Sequence, residues 1–434
     1  MRFLHLADLH IGKAIHGVSL LDNGDQTYWK EQFLERARKL RPDAVVIAGD
    51  VYDRSAPSGE EVRFLSDFLT ELIGIGVPVM MTAGNHDSAQ RLSFARELLA
   101  NQGLHISAML SESPELTHIT LNDAYGPVTF WLMPYAYPAL VAHALQSDGL
   151  RDYDSAVRAL LSAQSVDFSQ RNVLVAHQNV TCNGREAPRG GSESMVGGVG
   201  QVDYTAFDGF DYVALGHIHS GYAVGRESVR YAGSPLCYHF EETKLQNKGA
   251  VLVELGEKGA APRMETISIP PLHPMRELRG PYEEIRRDEL AQRRTGEYIR
   301  IVLTDRRVTP EISGFFRDLY HGRDSALMEL VSEYHPYQDA ESASAARGAE
   351  QKPIETLFAD FYESRFGEPP TERDFALFAF AAELTRHRER GASNDKAIPD
   401  DKAIGGLLDY LMRQEEAADR AMPAMPGKRA DKIY

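Results

Sequence analysis

The chain has 434 residues, enough for two or three domains and a sizeable core. A net charge of −16 argues against bulk attraction to nucleic acid, and 43% hydrophobic content is ordinary for a soluble globular protein. No apolar run approaches the ~20 residues that span a bilayer, no basic and apolar leader opens the chain, and Cys182 and Cys237, the whole cysteine complement, fit a reducing cytoplasm rather than a disulfide scaffold. A nucleic-acid substrate remains compatible with the charge, because metals, local basic patches or a basic partner can carry the phosphates.

Residues 2–7 read as a strand that runs into Asp8-Leu9-His10. Asp8 and His10 are two apart at its end, so both can turn toward one metal, although an Asp-x-His by itself reads as a solvated turn. Residues 26–40 read as a helix with Trp29, Phe33, Ala37 and Leu40 on one face, stopped by Pro42. The apolar run 45–48 then reads as a buried strand delivering Gly49-Asp50-Val51-Tyr52-Asp53 at its carboxyl end, where ligands gather in open α/β sheets. A loop, 54–59, leads to a helix over 60–73. The strand 77–83 ends in Gly84-Asn85-His86-Asp87, and a helix is expected from about Ser88 to Asn101 with Leu92, Ala95, Leu98 and Leu99 inward. Phe64 and Phe94 fall beside the inward stripes and are candidates for an exposed dimerisation surface.

Residues 128–133 form a further strand and 154–163 a helix. The strand 173–176 ends at His177, and a Gly-rich loop over 181–200 carries Arg185 and Arg189, which read either as backbone phosphate contacts or as solvated charges; its composition predicts mobility. The strand 212–215 ends in Gly216-His217-Ile218-His219, and strands at 229–232 and 249–255 follow. Pro270-Pro271 and His273-Pro274 mark a domain boundary. Beyond it, a helix near 281–293, a strand at 298–303, a helix at 311–320 and an apolar segment at 327–331 make a small α+β module of about 65 residues, too small for its own active site. Residues 338–353 read as a linker, 354–366 and 371–386 as a pair of helices, the second opened by Thr371 and Asp374 as a capping-box variant with Asp in place of Glu or Gln, and 390–434 as a partly disordered tail with one short helix at 404–417.

Each polar fragment is weak alone, and a lone His177 would ordinarily be a satisfied core or surface histidine. Together, five strand ends deliver Asp, His and Asn side chains in a fixed order, with Asp50 placed to bridge two metal ions. Imidazole, carboxylate and amide oxygen without thiolate suit Mn²⁺, Fe²⁺ or Zn²⁺. Two ions sharing a carboxylate activate a water and clamp a phosphoryl group for in-line attack, and a histidine of near-neutral pKa suits the leaving oxygen.

These five motifs resemble those of the calcineurin-like metallophosphoesterases, over roughly residues 1–255. Tyr231-Ala232-Gly233-Ser234-Pro235-Leu236, after the Gly-His-Ile-His segment, sharpens the resemblance to the SbcD-type nucleases. The resemblance implies an α/β fold, a four-layer sandwich of two mixed β-sheets flanked by helices (1–270), with an α+β capping domain (271–337), the linker, and a helical hairpin (354–389) that binds an ATPase partner. It implies that Asp8, His10, Asp50 and His219 hold one ion and Asp50, Asn85, His177 and His217 the other, with Mn²⁺ favoured. His86 is implied as the catalytic histidine. Asp53 is expected to pair with it and stabilise its charged form, and Arg54 to grip phosphate. The implied activity is double-strand exonuclease and single-strand or hairpin endonuclease cleavage of DNA in repair and recombination, by a cytoplasmic homodimer working with SbcC, a coiled-coil ATPase. A phosphatase for phosphoprotein, cyclic nucleotide or phospholipid is the alternative that the motifs permit and the C-terminal segments disfavour. A decayed, non-catalytic scaffold is opposed by the competent residues filling every ligand position.

Overall fold

The structure, a computed structural model, describes residues 1–110, 114–147, 149–184, 200–244, 248–334, 354–366, 369–371, 374, 375 and 378. The chain divides into two compact units, Met1–Tyr334 and His335–Tyr434. The expectations for Arg185, Arg189 and most of the 181–200 loop, the 338–353 linker, most of 371–386 and the 390–434 tail lie outside the described residues.

Two six-stranded mixed sheets organise the first unit. In one, Arg2–Leu6, Ala44–Ala48, Val79–Thr82 and Leu104–Ser107 run parallel, and Ala250–Glu254 and Arg263–Ile267 extend it antiparallel beyond the first strand. In the other, Gly126–Met133, Arg171–His177, Tyr212–Gly216 and Arg226–Tyr231 are parallel, with antiparallel edges Thr117–Asp123 and Tyr222–Val224. Both faces of the central strands are covered, which is why they read as unbroken apolar runs. Along Arg2–Leu6, Phe3 joins the core between the sheets, with Val46, Met80, Phe130, Val175 and Tyr212, whereas Leu4 and Leu6 join the core under the flanking helices. That outer core takes Trp29, Phe33 and Ala37 from Asp25–Leu40 and Leu65, Phe68 and Leu72 from Gly59–Gly74. On the far side of the second sheet, Leu174, Val213 and Leu215 pack with Val141, Ala156, Val157 and Leu160 of the helices Pro138–Ala144 and Tyr153–Ser162. The layering is helix, sheet, sheet, helix.

Strand order brings four parallel strand ends of each sheet to one edge, where the polar motifs lie. The helix expected over 88–101 is instead two short ones, Ala89–Leu92 and Arg96–Ala100, broken at Ala95, which is left-handed (φ 57°). No residue at 93–95 is a helix breaker, so local sequence carries no sign of it. Leu92 reaches the core, but Phe94 (82% exposed) and Leu98 (72%) face outward, which removes Leu98 from the expected inward stripe. Phe64 is half-buried against the core.

Residues 275–332 form a three-stranded parallel sheet, Met275–Gly280, Tyr298–Leu303 and Ala326–Ser332, with helices Tyr282–Ala291 and Pro310–His321 on it. Its core contains Ile299, Ile301, Leu303, Ile312, Phe316 and Tyr320. The strand Met275–Gly280 escaped sequence reading because alternating charged residues interrupt its apolar pattern. This layer is fastened to the first helix of the chain by Asp25, whose carboxylate accepts from Tyr298 Oη (2.6 Å) and His273 Nδ1 (3.0 Å). In the second unit, Ile354–Phe366 is helical, and Phe358 stacks on Phe378 at 4.1 Å between centroids. The Thr371/Asp374 pair closes reciprocal backbone hydrogen bonds of 2.9 and 3.3 Å, the capping box expected from the sequence. No helix among the described residues is long and apolar enough to cross a membrane.

Candidate metal centre

The five motifs converge. Asp8 and His10 follow Arg2–Leu6, Asp50 follows Ala44–Ala48, Asn85 and His86 follow Val79–Thr82, His177 ends its strand, and His217 and His219 follow Tyr212–Gly216. Asp8, His10, Asp50, His177, His217 and His219 are buried, while Asn85 and His86 are partly open to solvent. Four of these residues occupy left-handed backbone: Asp8 (φ 53°), His10 (39°), Asp50 (48°) and His217 (106°). Such strain persists only where surrounding contacts enforce it, and it concentrates at functional sites.

Asp50 is central. Its Oδ1 accepts from the His86 backbone N–H at 2.9 Å, which leaves Oδ2 3.3 Å from His177 Nε2 and 3.6 Å from His10 Nε2. Burial opposes its ionisation, but His177, His10 and His86 together hold its pKa well below the usual carboxylate range. On one side, His10 Nε2 and His219 Nε2 face each other at 3.2 Å. On the other, Asn85 Oδ1 lies 3.2 Å from His177 Nε2 and 3.0 Å from His217 Nδ1. Asp8 Oδ1 accepts from the His217 backbone N–H (2.9 Å), and its Oδ2 is buried with no hydrogen-bond partner among the described residues. Burial, only partly offset by His177 and His219, raises the Asp8 pKa to about 6.

The orientation of the rings is set from behind. His177 Nδ1 donates to the Ala48 carbonyl at 2.8 Å, and His219 Nδ1 to Glu242 Oε1 at 3.2 Å, so in each neutral ring the lone pair is on Nε2, facing the centre. Burial lowers the pKa of His10 to about 4 and that of His217 to about 3, keeping both neutral. Burial also opposes charge on His177, yet Asp50 overcomes it and lifts its pKa to about 9. A proton and a cation therefore compete for the gap between His177 Nε2 and Asp50 Oδ2.

A buried carboxylate oxygen without a partner, two imidazole nitrogens pointed at one another and an amide oxygen between two more form a donor set made for cations. The ligand-capable clusters among the described residues are Asp8/His10/His219, His10/Asp50/His86 and Asp8/Asp50/His177. All seven residues expected as ligands from sequence are thus brought together, with His86 beside them, its ring 4.8 Å from that of His10.

One expectation changes, and a second gains a neighbour. Asp53 meets His86 through its backbone: His86 Nδ1 donates to the Asp53 carbonyl at 2.8 Å. The Asp53 carboxylate instead lies 2.9 Å from Lys13 Nζ and 3.3 Å from His10 Nδ1, because the turn after Asp50 points the side chain back toward the first loop. Arg54 forms an ion pair with Glu61 (2.6 Å), the capping-box residue of the helix that follows, through one nitrogen, and the side chain is otherwise largely exposed.

Other supporting residues were not singled out from sequence. Asp87 accepts the backbone N–H groups of Val51 (3.1 Å), Tyr52 (2.9 Å) and Gly84 (2.9 Å), tying the Asp50 turn to the Asn85 turn. Gln26 donates to the His10 carbonyl (2.9 Å) and accepts from Gly12 N–H (3.0 Å), clamping the first loop. Glu242 and Lys248 stand behind His219. Asp87 was legible as the last residue of its motif; nothing in the local sequence marks Gln26, Glu242 or Lys248.

A family model for calcineurin-like phosphoesterases matches residues 1–221. The chain belongs to the calcineurin-like phosphoesterases. A second model, described as the type 5 capsule protein repressor C-terminal domain, matches residues 271–366 of this phosphoesterase. The chain is 30% identical over 311 residues to a Staphylococcus epidermidis protein named as the SbcD component of the nuclease SbcCD, covering 70% of this chain and 79% of that one. It is 29% identical over 306 residues to the protein of the same name from Staphylococcus saprophyticus, covering 70% and 78%. Family and geometry agree on a metal-dependent phosphoesterase with a divalent-metal centre at the strand ends.

Proposed function

We propose that this phosphoesterase is a DNA nuclease with two Mn²⁺ ions, acting on duplex ends as an exonuclease and on single strands and hairpins as an endonuclease. The carrying observation is the placement of Asp50 Oδ2 between His10 Nε2 and His177 Nε2, each backed by its own set of donors. Asp8, His10, Asp50 and His219 would hold one ion, and Asp50, Asn85, His177 and His217 the other. Such a pair would supply water activation and a clamp for the phosphoryl group. His86 works on the leaving oxygen. Its Nδ1–H is committed to the Asp53 carbonyl, so the ring is fixed and Nε2 is the end that exchanges a proton.

The names of the relatives support a nuclease that works with an SbcC partner; DNA as the substrate and an ATPase as that partner follow from the resemblance to the SbcD-type nucleases. Residues 354–389 are the tether for that partner, joined by the linker 338–353 to a capping domain (271–337) and a nuclease domain (1–270). Exposed Phe94 and Leu98 support a homodimer built on that surface. The test is cleavage of blunt duplex and hairpin DNA with Mn²⁺, with and without the ATPase, beside p-nitrophenyl and bis-p-nitrophenyl phosphate. DNA and the diester should be cut and chelation should abolish cutting. Hydrolysis of the monoester alone would overturn the reading.

A further inference from the structure

The two halves of the centre differ in charge. The half built on Asp8, His10 and His219 includes the carboxylate of Asp8, whose Oδ2 is buried and unpartnered among the described residues and which also lies within ligand reach of Asp50 and His177. Carboxylates also stand behind its imidazoles: Glu242 Oε1 accepts from His219 Nδ1 at 3.2 Å, and Asp53 Oδ1 lies 3.3 Å from His10 Nδ1. Glu242 is fully buried, and its other oxygen takes the Tyr238 backbone N–H at 3.0 Å and Lys248 Nζ at 2.5 Å, so it cannot turn away from His219. Lys13 holds Asp53 in the same way, at 2.9 Å. The half built on Asn85, His177 and His217 offers a neutral amide where the first offers Asp8, and a neutral carbonyl, that of Ala48, stands behind His177. Asp50 is shared and does not distinguish them.

A carboxylate behind a ligating imidazole fixes the tautomer and makes the ring a better donor, and losing such a partner commonly costs 10–100-fold in metal affinity. A charged first ligand adds to the same side of the balance. We propose that the centre loads in order, the Asp8/His10/His219 half first and the Asn85/His177/His217 half second, and that Glu242 is the positioning residue that widens the gap between them. The proposal rests on the reading of these residues as metal ligands.

The experiment is a Mn²⁺ titration of the full chain stripped with chelator, followed by the paramagnetic resonance of free Mn²⁺ and by calorimetry. The wild type should show two binding events separated by about tenfold or more in Kd. Glu242→Gln keeps the shape but removes the charge and one acceptor, since its NH2 must face either His219 Nδ1 or the Tyr238 N–H and Lys248 Nζ. It should weaken the tighter event by roughly 10–100-fold and leave the weaker one within about twofold. Asn85→Asp gives the second half its own carboxylate and should strengthen the weaker event while leaving the tighter one in place. A merely structural role for Glu242 would move both events together. Two wild-type events of equal affinity, or a Glu242→Gln variant in which both events or only the weaker one shift, would overturn the proposal. A wild type that binds no Mn²⁺ would instead overturn the ligand reading beneath it.

Discussion

Gly84 tests the geometry of the centre without replacing a ligand. A methyl group placed on its Cα would lie 2.1 Å from Asp50 Oδ1, 2.4 Å from the Asp50 backbone nitrogen and 2.8 Å from its Cγ. Gly84 is outside the left-handed region, so alanine is permitted by the backbone and only the contact matters. To restore ordinary van der Waals separation, Asp50 must retreat by about 1 Å. That retreat breaks the hydrogen bond from His86 N–H to Oδ1 and swings Oδ2 away from His10 and His177. Misplacement on that scale costs about 10²-fold in rate, and overpacking a rigid site destabilises by roughly 1–3 kcal/mol. Gly314→Ala is the matched control, since its new methyl would meet nothing within 4 Å inside the helix Pro310–His321. Glycine to alanine there should add about 0.5–1 kcal/mol of stability. The assay is Mn²⁺-dependent cleavage of bis-p-nitrophenyl phosphate and blunt duplex, with metal per chain by elemental analysis. Gly84→Ala should lose both activity and bound metal. A Gly84→Ala enzyme with wild-type rate and metal content would refute the close packing of Gly84 on Asp50.

His86→Ser should cut DNA some 10²–10⁴-fold more slowly while retaining both metals; loss of metal along with activity would move His86 among the ligands. His5 is fully buried and bridges the sheets through Tyr212 Oη (3.0 Å) and the Leu215 carbonyl (3.2 Å). Burial depresses its pKa from 6.5 to about 3. The unfolded chain therefore takes up a proton that the folded chain refuses, so stability present in full above pH 6.5 falls as the pH drops toward 3, by about 1.4 kcal/mol per unit. Between pH 6 and 4, the metal-free wild type should lose roughly 2–3 kcal/mol more in urea unfolding than His5→Gln; equal losses would contradict a neutral buried His5. Truncation at Gln338 should leave a soluble dimer with Mn²⁺-dependent nuclease activity that no longer co-purifies with the ATPase, and unchanged affinity would show that residues 354–389 are not the tether.

Much of this protein is written locally. Buried parallel strands need unbroken apolar runs, and each run here hands its polar residues to the strand's carboxyl end, so the positions of Asp8, His10, Asp50, Asn85, His86, His177, His217 and His219 were visible as spacing. The helices Asp25–Leu40 and Gly59–Gly74 were visible as stripes, and the box at Thr371 and Asp374 as a three-residue offset. What tertiary structure decided is direction and support. Which atom of Asp53 faces His86, and that Arg54 pairs with Glu61, depend on a loop's path and on the next helix's cap, neither of which has a period. The break at Ala95 came without a breaker residue and among residues that favour helix, and it leaves Phe94 and Leu98 exposed. Glu242 and Gln26 reach the centre from segments far away in the chain, and a buried polar side chain carries no local pattern to show which distant atom will satisfy it. Spacing along one strand is set by covalent geometry, whereas contact between strands is set only when the sheets close.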